Sequence, residues 1–165
     1  MTRAAVIGDN SAGKSTLYNK TFNLELEVGV DDTTQQVSKV YDCSQRSVEY
    51  FDSPGVNETT NVASPEVLKV LYSLKCVFIA TSVTFKKLKR LIRIMDRINP
   101  PMLYLLRTQC DKFPSEEEFE SAKAKDLGLL KEWGIKREVL YVSSMEGEEF
   151  KDNARFRKLF KELKE

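Results

Sequence analysis

Short apolar runs alternate with segments of helical period along the whole chain, with no internal repeat, low-complexity tract or Gly/Ser/Pro-rich linker between them. Runs of strand length fall at Arg3–Ile7, Gln36–Asp42, Ser47–Asp52, Lys75–Thr81, Met102–Arg107 and Glu138–Val142, the second and third forming a hairpin. Helical spacing predicts Lys14–Asn23, Ser64–Leu74, Phe85–Ile98, Ser115–Trp133 and Gly147–Leu163. Ser115 followed by Glu118, directly after Pro114, is a capping-box pattern. Phe150, Phe156, Leu159, Phe160 and Leu163 make the apolar stripe of a closing amphipathic helix. Strand–helix alternation predicts a three-layer α/β sandwich, with a six-stranded, mostly parallel sheet and one antiparallel edge strand. Ligands of such sheets bind outside the carboxyl ends of the strands.

Composition narrows the chemistry. At 165 residues the chain is expected to be a single domain, spanning 1–165, large enough to bury roughly 70% of its unfolded surface. It contains no His, which excludes a Ser-His-Asp or Cys-His nucleophile, a His general base and a His-ligated metal. Cys43, Cys76 and Cys110 are too few for a four-thiolate zinc site and show no C-x-x-C spacing, as expected of small fillers in a reducing, cytoplasmic setting. The 26 Lys+Arg balance 25 Asp+Glu to a net charge of +1, so no global field draws the chain to nucleic acid, and none is expected as a partner. The N-terminus reads as neither a signal peptide nor a myristoylation site, and no apolar run approaches the ~20 residues of a spanning helix.

The first strand is followed at once by Gly8-Asp9-Asn10-Ser11-Ala12-Gly13-Lys14-Ser15, with Thr16 next, a complete G-x-x-x-x-G-K-S at a strand-to-helix junction. Its glycines permit the tight turn, and successive N–H groups at the helix start surround a β-phosphate. Lys14 reaches β- and γ-oxygens, while the Ser15 hydroxyl ligates Mg²⁺. Phe51-Asp52-Ser53-Pro54-Gly55 places Asp52 at a strand's carboxyl end, behind the metal, and Gly55 where its N–H meets a γ-phosphate. In Asp31-Asp32-Thr33-Thr34 a hydroxyl can complete the metal shell only while the γ-phosphate is present, which makes the segment a natural switch. Thr34 is assigned that role, with Thr33 the alternative; a Thr pair before a strand is otherwise plain β-propensity. Thr108-Gln109-Cys110-Asp111 follows the fifth strand, where the Asp111 carboxylate can accept from the N1–H and N2–H₂ edge of guanine, a donor pair adenine lacks. After the sixth strand, Ser143-Ser144-Met145 can aim a backbone N–H at guanine O6.

Taken together these motifs resemble the five-motif, Ras-like G domain of the P-loop GTPases, over essentially the whole chain. Within that class the sequence resembles the immunity-related GTPases, the interferon-inducible, dynamin-like group. The carriers are Gly29-Val30-Asp31-Asp32-Thr33-Thr34, Phe51-Asp52-Ser53-Pro54-Gly55-Val56, Pro65-Glu66-Val67-Leu68, Phe78 to Lys87, and Leu106-Arg107-Thr108-Gln109-Cys110-Asp111. The resemblance implies binding of GTP and GDP with Mg²⁺, slow hydrolysis, GTP-dependent pairing of G domains across their nucleotides, and peripheral action at intracellular membranes. An acidic residue in the first switch of these proteins supports hydrolysis across the dimer, and Asp32 falls at that place, one methylene shorter than the usual Glu.

The sequence also departs from the pattern. Gln109 stands where a Lys stem lines the guanine pocket, Thr108 where Asn is frequent and Met145 where Lys is frequent, so base selectivity rests on Asp111. Val56 replaces the Gln that positions water in Ras-type switches. The helical segments that flank the family's G domain are absent, as in an excised domain or a stripped-down member. Two alternatives to an assembling GTPase stand beside it: a GTP-loaded switch or scaffold with negligible hydrolysis, motivated by Val56, and a P-loop ATPase or small-molecule kinase, motivated by Gln109. Finally, Lys86, Lys87, Lys89, Arg90, Arg93 and Arg97 crowd one helix, either as its solvated face or as a contact for anionic lipid.

Overall fold

The computed structural model of the chain describes residues 2–8, 38–43, 48–52, 69, 71–143 and 152–162. Six strands form one sheet: β1 (Thr2–Gly8), β2 (Ser38–Cys43), β3 (Val48–Asp52), β4 (Cys76–Thr81), β5 (Met102–Arg107) and β6 (Val139–Tyr141), in the spatial order β2-β3-β1-β4-β5-β6. β1 pairs in parallel with both β3 and β4, and β5 with both β4 and β6; β2 runs antiparallel to β3, with a register shift between Lys39 and Tyr41.

The parallel strands β1, β4, β5 and β6 are buried on both faces, as expected of a parallel sheet covered by helices. Alternate side chains of these four strands feed two cores. Ala4, Val6, Cys76, Phe78, Ala80, Leu106 and Leu140 pack with Phe156 and Leu159 of the closing helix. Ala5, Ile7, Val77, Ile79, Leu103 and Leu105 pack on the other face with Phe85, Leu88, Leu91, Ile92, Met95 and Leu130. β4 is buried at every residue, which explains why it reads as one continuous apolar run. Phe78 meets Phe156 edge-on at a ring-centroid distance of 5.0 Å, joining the sheet to the helix layer.

Three helices are described in full: α1 (Lys89–Ile98), α2 (Glu116–Glu132) and α3 (Asn153–Glu162), with a further helical stretch at 71–73. The helix expected over Phe85–Ile98 is divided. Phe85–Leu88 is a 3-10 turn whose N-cap Thr84 accepts a hydrogen bond from the Lys86 N–H, and α1 follows it. α1 stops at Asn99, in the left-handed conformation (φ 54°), whose N–H donates to the Met95 carbonyl at 2.9 Å just before Pro100. α2 begins as its capping pattern predicts, with Ser115 Oγ accepting from the Glu118 N–H at 3.1 Å. It ends through Gly134 (φ 70°), where the Ile135 N–H donates to the Leu130 carbonyl. The helices expected over Lys14–Asn23 and over the first part of Ser64–Leu74 fall outside the described residues.

Parallel pairing gathers the carboxyl ends of β1, β3, β4, β5 and β6 along one rim. Gly8 pairs with Ala80, Leu106 with Leu140, and Asp52, the last residue of β3, with Val6. Gly8 closes β1 with φ 154°, and a Cβ placed on it would overlap the Ala80 carbonyl oxygen. Gly8→Ala is therefore expected to lower folding stability by about 3 kcal/mol or more, measured by urea denaturation; a loss below about 1 kcal/mol would show that the neighbouring strand yields easily.

Candidate functional site

The rim between β5 and β6 carries the resolved part of the site. Beyond Arg107 the chain leaves the sheet through Thr108, whose N–H still donates to the Thr81 carbonyl at 2.8 Å. Gln109 then adopts a left-handed conformation (φ 56°), turning the chain into a short 3-10 turn over Cys110–Lys112. This sharp turn brings Asp111 back over the strand ends, and the Cys110 N–H donates to the Val142 carbonyl beyond β6 at 3.2 Å. Ser143 Oγ donates to Asp111 Oδ1 at 2.7 Å. Two segments separated by a whole helix thus meet, and one oxygen of the Asp111 carboxylate is oriented while its remaining lone pairs stay available to a ligand.

Gln109, where the sequence resemblance leads one to expect a Lys, accepts through Oε1 from Lys112 Nζ at 2.6 Å. A lysine three residues on thus reaches the same place on the rim. The buried Cys110 thiol lies 3.2 Å from the Arg107 carbonyl, and burial pushes its pKa up to about 12, so it is a packing group rather than a nucleophile. Cys76 is buried and raised to about 12 by the same cause.

Thr108, Gln109, Asp111 and Ser143 of the expected base-binding set are thus brought to one rim. Asp52 ends β3 on the same side of the sheet, and Gly8, where the phosphate-loop motif starts, ends β1. Asp9, Asn10, Ser11, Ala12, Gly13, Lys14, Ser15 and Thr16 lie outside the described residues, as do Asp32, Thr33, Thr34, Gly55, Ser144 and Met145. Among the described residues no cluster of carboxylates and thiols forms a metal-binding group of its own. The carboxyl-terminal rim and the Ser143–Asp111 pair fit a guanine base by donor and acceptor type.

Two features behind the rim were not foreseen. The first is a buried cluster beneath the Cys110–Lys112 turn. Arg107 Nη1 donates to both carboxylate oxygens of Asp126, at 2.9 and 3.0 Å, and Tyr141 Oη lies 3.4 Å from Asp126 Oδ2. Arg107 also stacks over Phe113 at 5.6 Å, and its buried Nε has no hydrogen-bond partner among the described residues. Burial raises the Asp126 pKa to about 6, against the lowering influence of Arg107 and Tyr141. A cleft of about 320 Å³ opens beside the cluster, lined in part by Val83, Thr84, Phe113 and Lys125. The second is the start of α3, where Asp152 and Asn153 bind the backbone of Tyr141 and Ser143.

The family model described as 50S ribosome-binding GTPase matches residues 3–108. No curated protein matches the chain. Solved structures with the same fold include a bacterial selenocysteine-specific elongation factor, EF-Sec (TM-score 0.68, 16% identity, covering 99% of this chain and 29% of that one). Era in complex with MgGDPNP and a segment of 16S ribosomal RNA is also similar (TM-score 0.69, 13% identity, 98% of this chain and 56% of that one). So is Toc33 from Arabidopsis thaliana in complex with GDP and Mg²⁺ (TM-score 0.65, 14% identity, 99% of this chain and 82% of that one). The chain therefore spans less than a third of EF-Sec and just over half of Era.

The Arg107–Asp126 pair makes stability depend on pH. Because Asp126 has a folded pKa of about 6, above its unfolded value, the folded state holds more proton than the unfolded chain across the interval between the two. Its contribution to stability therefore falls as pH rises through that interval. The stability difference between wild type and Asp126→Asn is expected to shift against wild type by on the order of 2 kcal/mol from about pH 4 to pH 7, measured by urea denaturation. Parallel pH profiles would contradict this.

Proposed function

We propose, from the premise that the chain belongs to the 50S ribosome-binding GTPase family, that it is a guanine-nucleotide-binding domain that takes GTP and GDP with Mg²⁺ and hydrolyses GTP. The observation that carries the base assignment is the 2.7 Å hydrogen bond from Ser143 to Asp111 at the carboxyl rim of the sheet. It presents an oriented carboxylate to the guanine N1–H and N2–H₂ donors, and adenine has no counterpart to them.

The remaining roles extend this reading along the rim. Lys14 would neutralise phosphate charge, and Ser15, Thr34 and Asp52 would hold Mg²⁺, which supplies electrostatic stabilisation of the phosphates when bound. The backbone N–H groups of Asp9 to Thr16 enclose the phosphates, and the Gly55 N–H contacts the γ-phosphate. Ser144 and Met145 complete the base pocket beside Ser143, Thr108 and Gln109. Hydrolysis is water attack on the γ-phosphorus with cleavage of its bond to the bridging oxygen, releasing GDP and phosphate. Since Val56 follows Gly55 where a water-positioning Gln would stand, the intrinsic rate is slow.

The narrower reading is an immunity-related, dynamin-like GTPase that pairs through its nucleotide face, with Asp32 acting across the pair. It rests on the switch and strand-end motifs of the sequence. Peripheral membrane contact is the accompanying proposal, favoured by α1 and the turn before it. Lys86, Lys87, Lys89, Arg90, Arg93 and Arg97 are all exposed, while the helix's single acid, Asp96, is already neutralised by Arg137 at 2.9 Å. A switch module with negligible turnover is the second reading, favoured by Val56.

Turnover distinguishes them. GTP hydrolysis per protomer, measured across a wide range of protein concentration with Mg²⁺, is expected to rise with concentration and to lose that rise in Asp32→Ala. A flat, near-zero rate with GTP still bound would establish the switch module. Lys14→Ala is expected to abolish nucleotide binding, and unchanged binding by equilibrium titration would contradict the phosphate-loop assignment.

A further inference from the structure

β6 is an edge strand, and edge strands leave backbone N–H and C=O groups without a ladder partner. Here two consecutive residues at the start of α3 stand in for the missing strand. The Tyr141 N–H donates to Asp152 Oδ2 at 2.8 Å, and the Asp152 N–H donates to the Tyr141 carbonyl at 3.2 Å. Two residues along, the Ser143 N–H donates to Asn153 Oδ1 at 3.0 Å, and Asn153 Nδ2 donates to the Ser143 carbonyl at 3.0 Å. The intervening Val142 faces the other way: its N–H donates to the Arg107 carbonyl at 2.9 Å, and its carbonyl accepts from Cys110. The strand end is thus held from both sides, in the alternation of a β-ladder.

The two-point contact at Ser143 is specific to an amide. A carboxamide supplies one acceptor and one donor in a plane, matching a backbone N–H and C=O; a carboxylate supplies acceptors only and would set its charge against the Ser143 carbonyl. Asn153 and Ser143 are only 7% and 6% exposed, so water does not readily replace these bonds. Ser143 is also the residue whose hydroxyl holds Asp111.

We propose that Asn153 is a positioning residue for guanine recognition. It fixes the Ser143 backbone, and through Ser143 Oγ it aligns the Asp111 carboxylate with both donors of the base. The inference rests on the assignment of Asp111 as the guanine-reading residue. It predicts that Asn153 affects discrimination between bases, whereas a helix cap of merely structural importance affects all nucleotides equally.

The test uses the difference between GDP and IDP, since hypoxanthine keeps the N1–H and lacks the 2-amino group. Affinities for both are measured by competition against a fluorescent GDP analogue for wild type, Asn153→Asp, Asn153→Ala, Ser143→Ala and Asp111→Asn, with thermal denaturation as the folding check. Expected are a loss of the GDP-over-IDP preference in Asp111→Asn and a fall of roughly 10-fold in that preference in both Asn153 variants and in Ser143→Ala. Adding Asn153→Asp to Ser143→Ala should produce no further fall in preference. If Asp111→Asn removes the preference while the Asn153 variants weaken GDP and IDP alike, or weaken neither, the positioning role is overturned and the base assignment stands. An unchanged preference in Asp111→Asn overturns the base assignment, and the positioning role with it. Should Asn153→Ala not fold, the nearly isosteric Asn153→Asp carries the test. If both fail, a preference unchanged in Ser143→Ala overturns the relay.

Discussion

No side chain fits between Gly8 and the carbonyl of Ala80, and the layout of the rim depends on that close approach. β1 can pair with β4 up to its final residue only because Gly8 presents bare backbone there. The same residue is the last of β1 and the first of the phosphate-loop motif, so the strand ends level with its neighbours where the motif begins. β4, buried at every position, then carries that register to β5, and β5 to β6. The loops after β5 and β6 can meet only if these three strands end together.

Charge inside the domain follows a different logic from charge on its surface. Arg107 and Asp126 are nearly dehydrated, and the burial that raises the Asp126 pKa opposes the attraction that pairs them. What such a pair provides is position: Arg107 immediately precedes Thr108, and its tie to α2 fixes where the chain leaves the sheet after β5. On the surface, the Arg155–Glu138 pair at 2.7 Å is open to solvent and adds little beyond local order.

The legible parts of the sequence were those governed by local rules. β5 has the bounds its apolar run suggests, and α2 starts where Ser115 and Glu118 announce it. The 3-10 turn at Phe85–Leu88 was not separable from α1, because Phe85 and Leu88 are three apart and satisfy either helical period. α3 runs over Asn153–Glu162 within the helix expected over Gly147–Leu163, whose first residues lie outside the described ones, and Asp152 and Asn153 turn their side chains to Tyr141 and Ser143. At the site, Asp111 was readable as a carboxylate at a strand's end, and Ser143 as a hydroxyl after the next strand. Asn153 was not, because its contact lies ten residues away across an element boundary and leaves no periodic trace. Arg107 was hidden for a related reason: a charge ending an apolar strand reads as surface until its partner on α2 is seen.

The side chains that pair with Tyr141 and Ser143 also bear on what the sheet is able to join. An open edge is the natural place for one sheet to continue into another, by backbone pairing with a neighbouring molecule. At the end of β6 that invitation is narrowed, for the outward-facing backbone groups of Tyr141 and Ser143 are already taken by Asp152 and Asn153. A strand added at this end would have to displace those two side chains, so pairing here competes with the contacts that hold the start of α3.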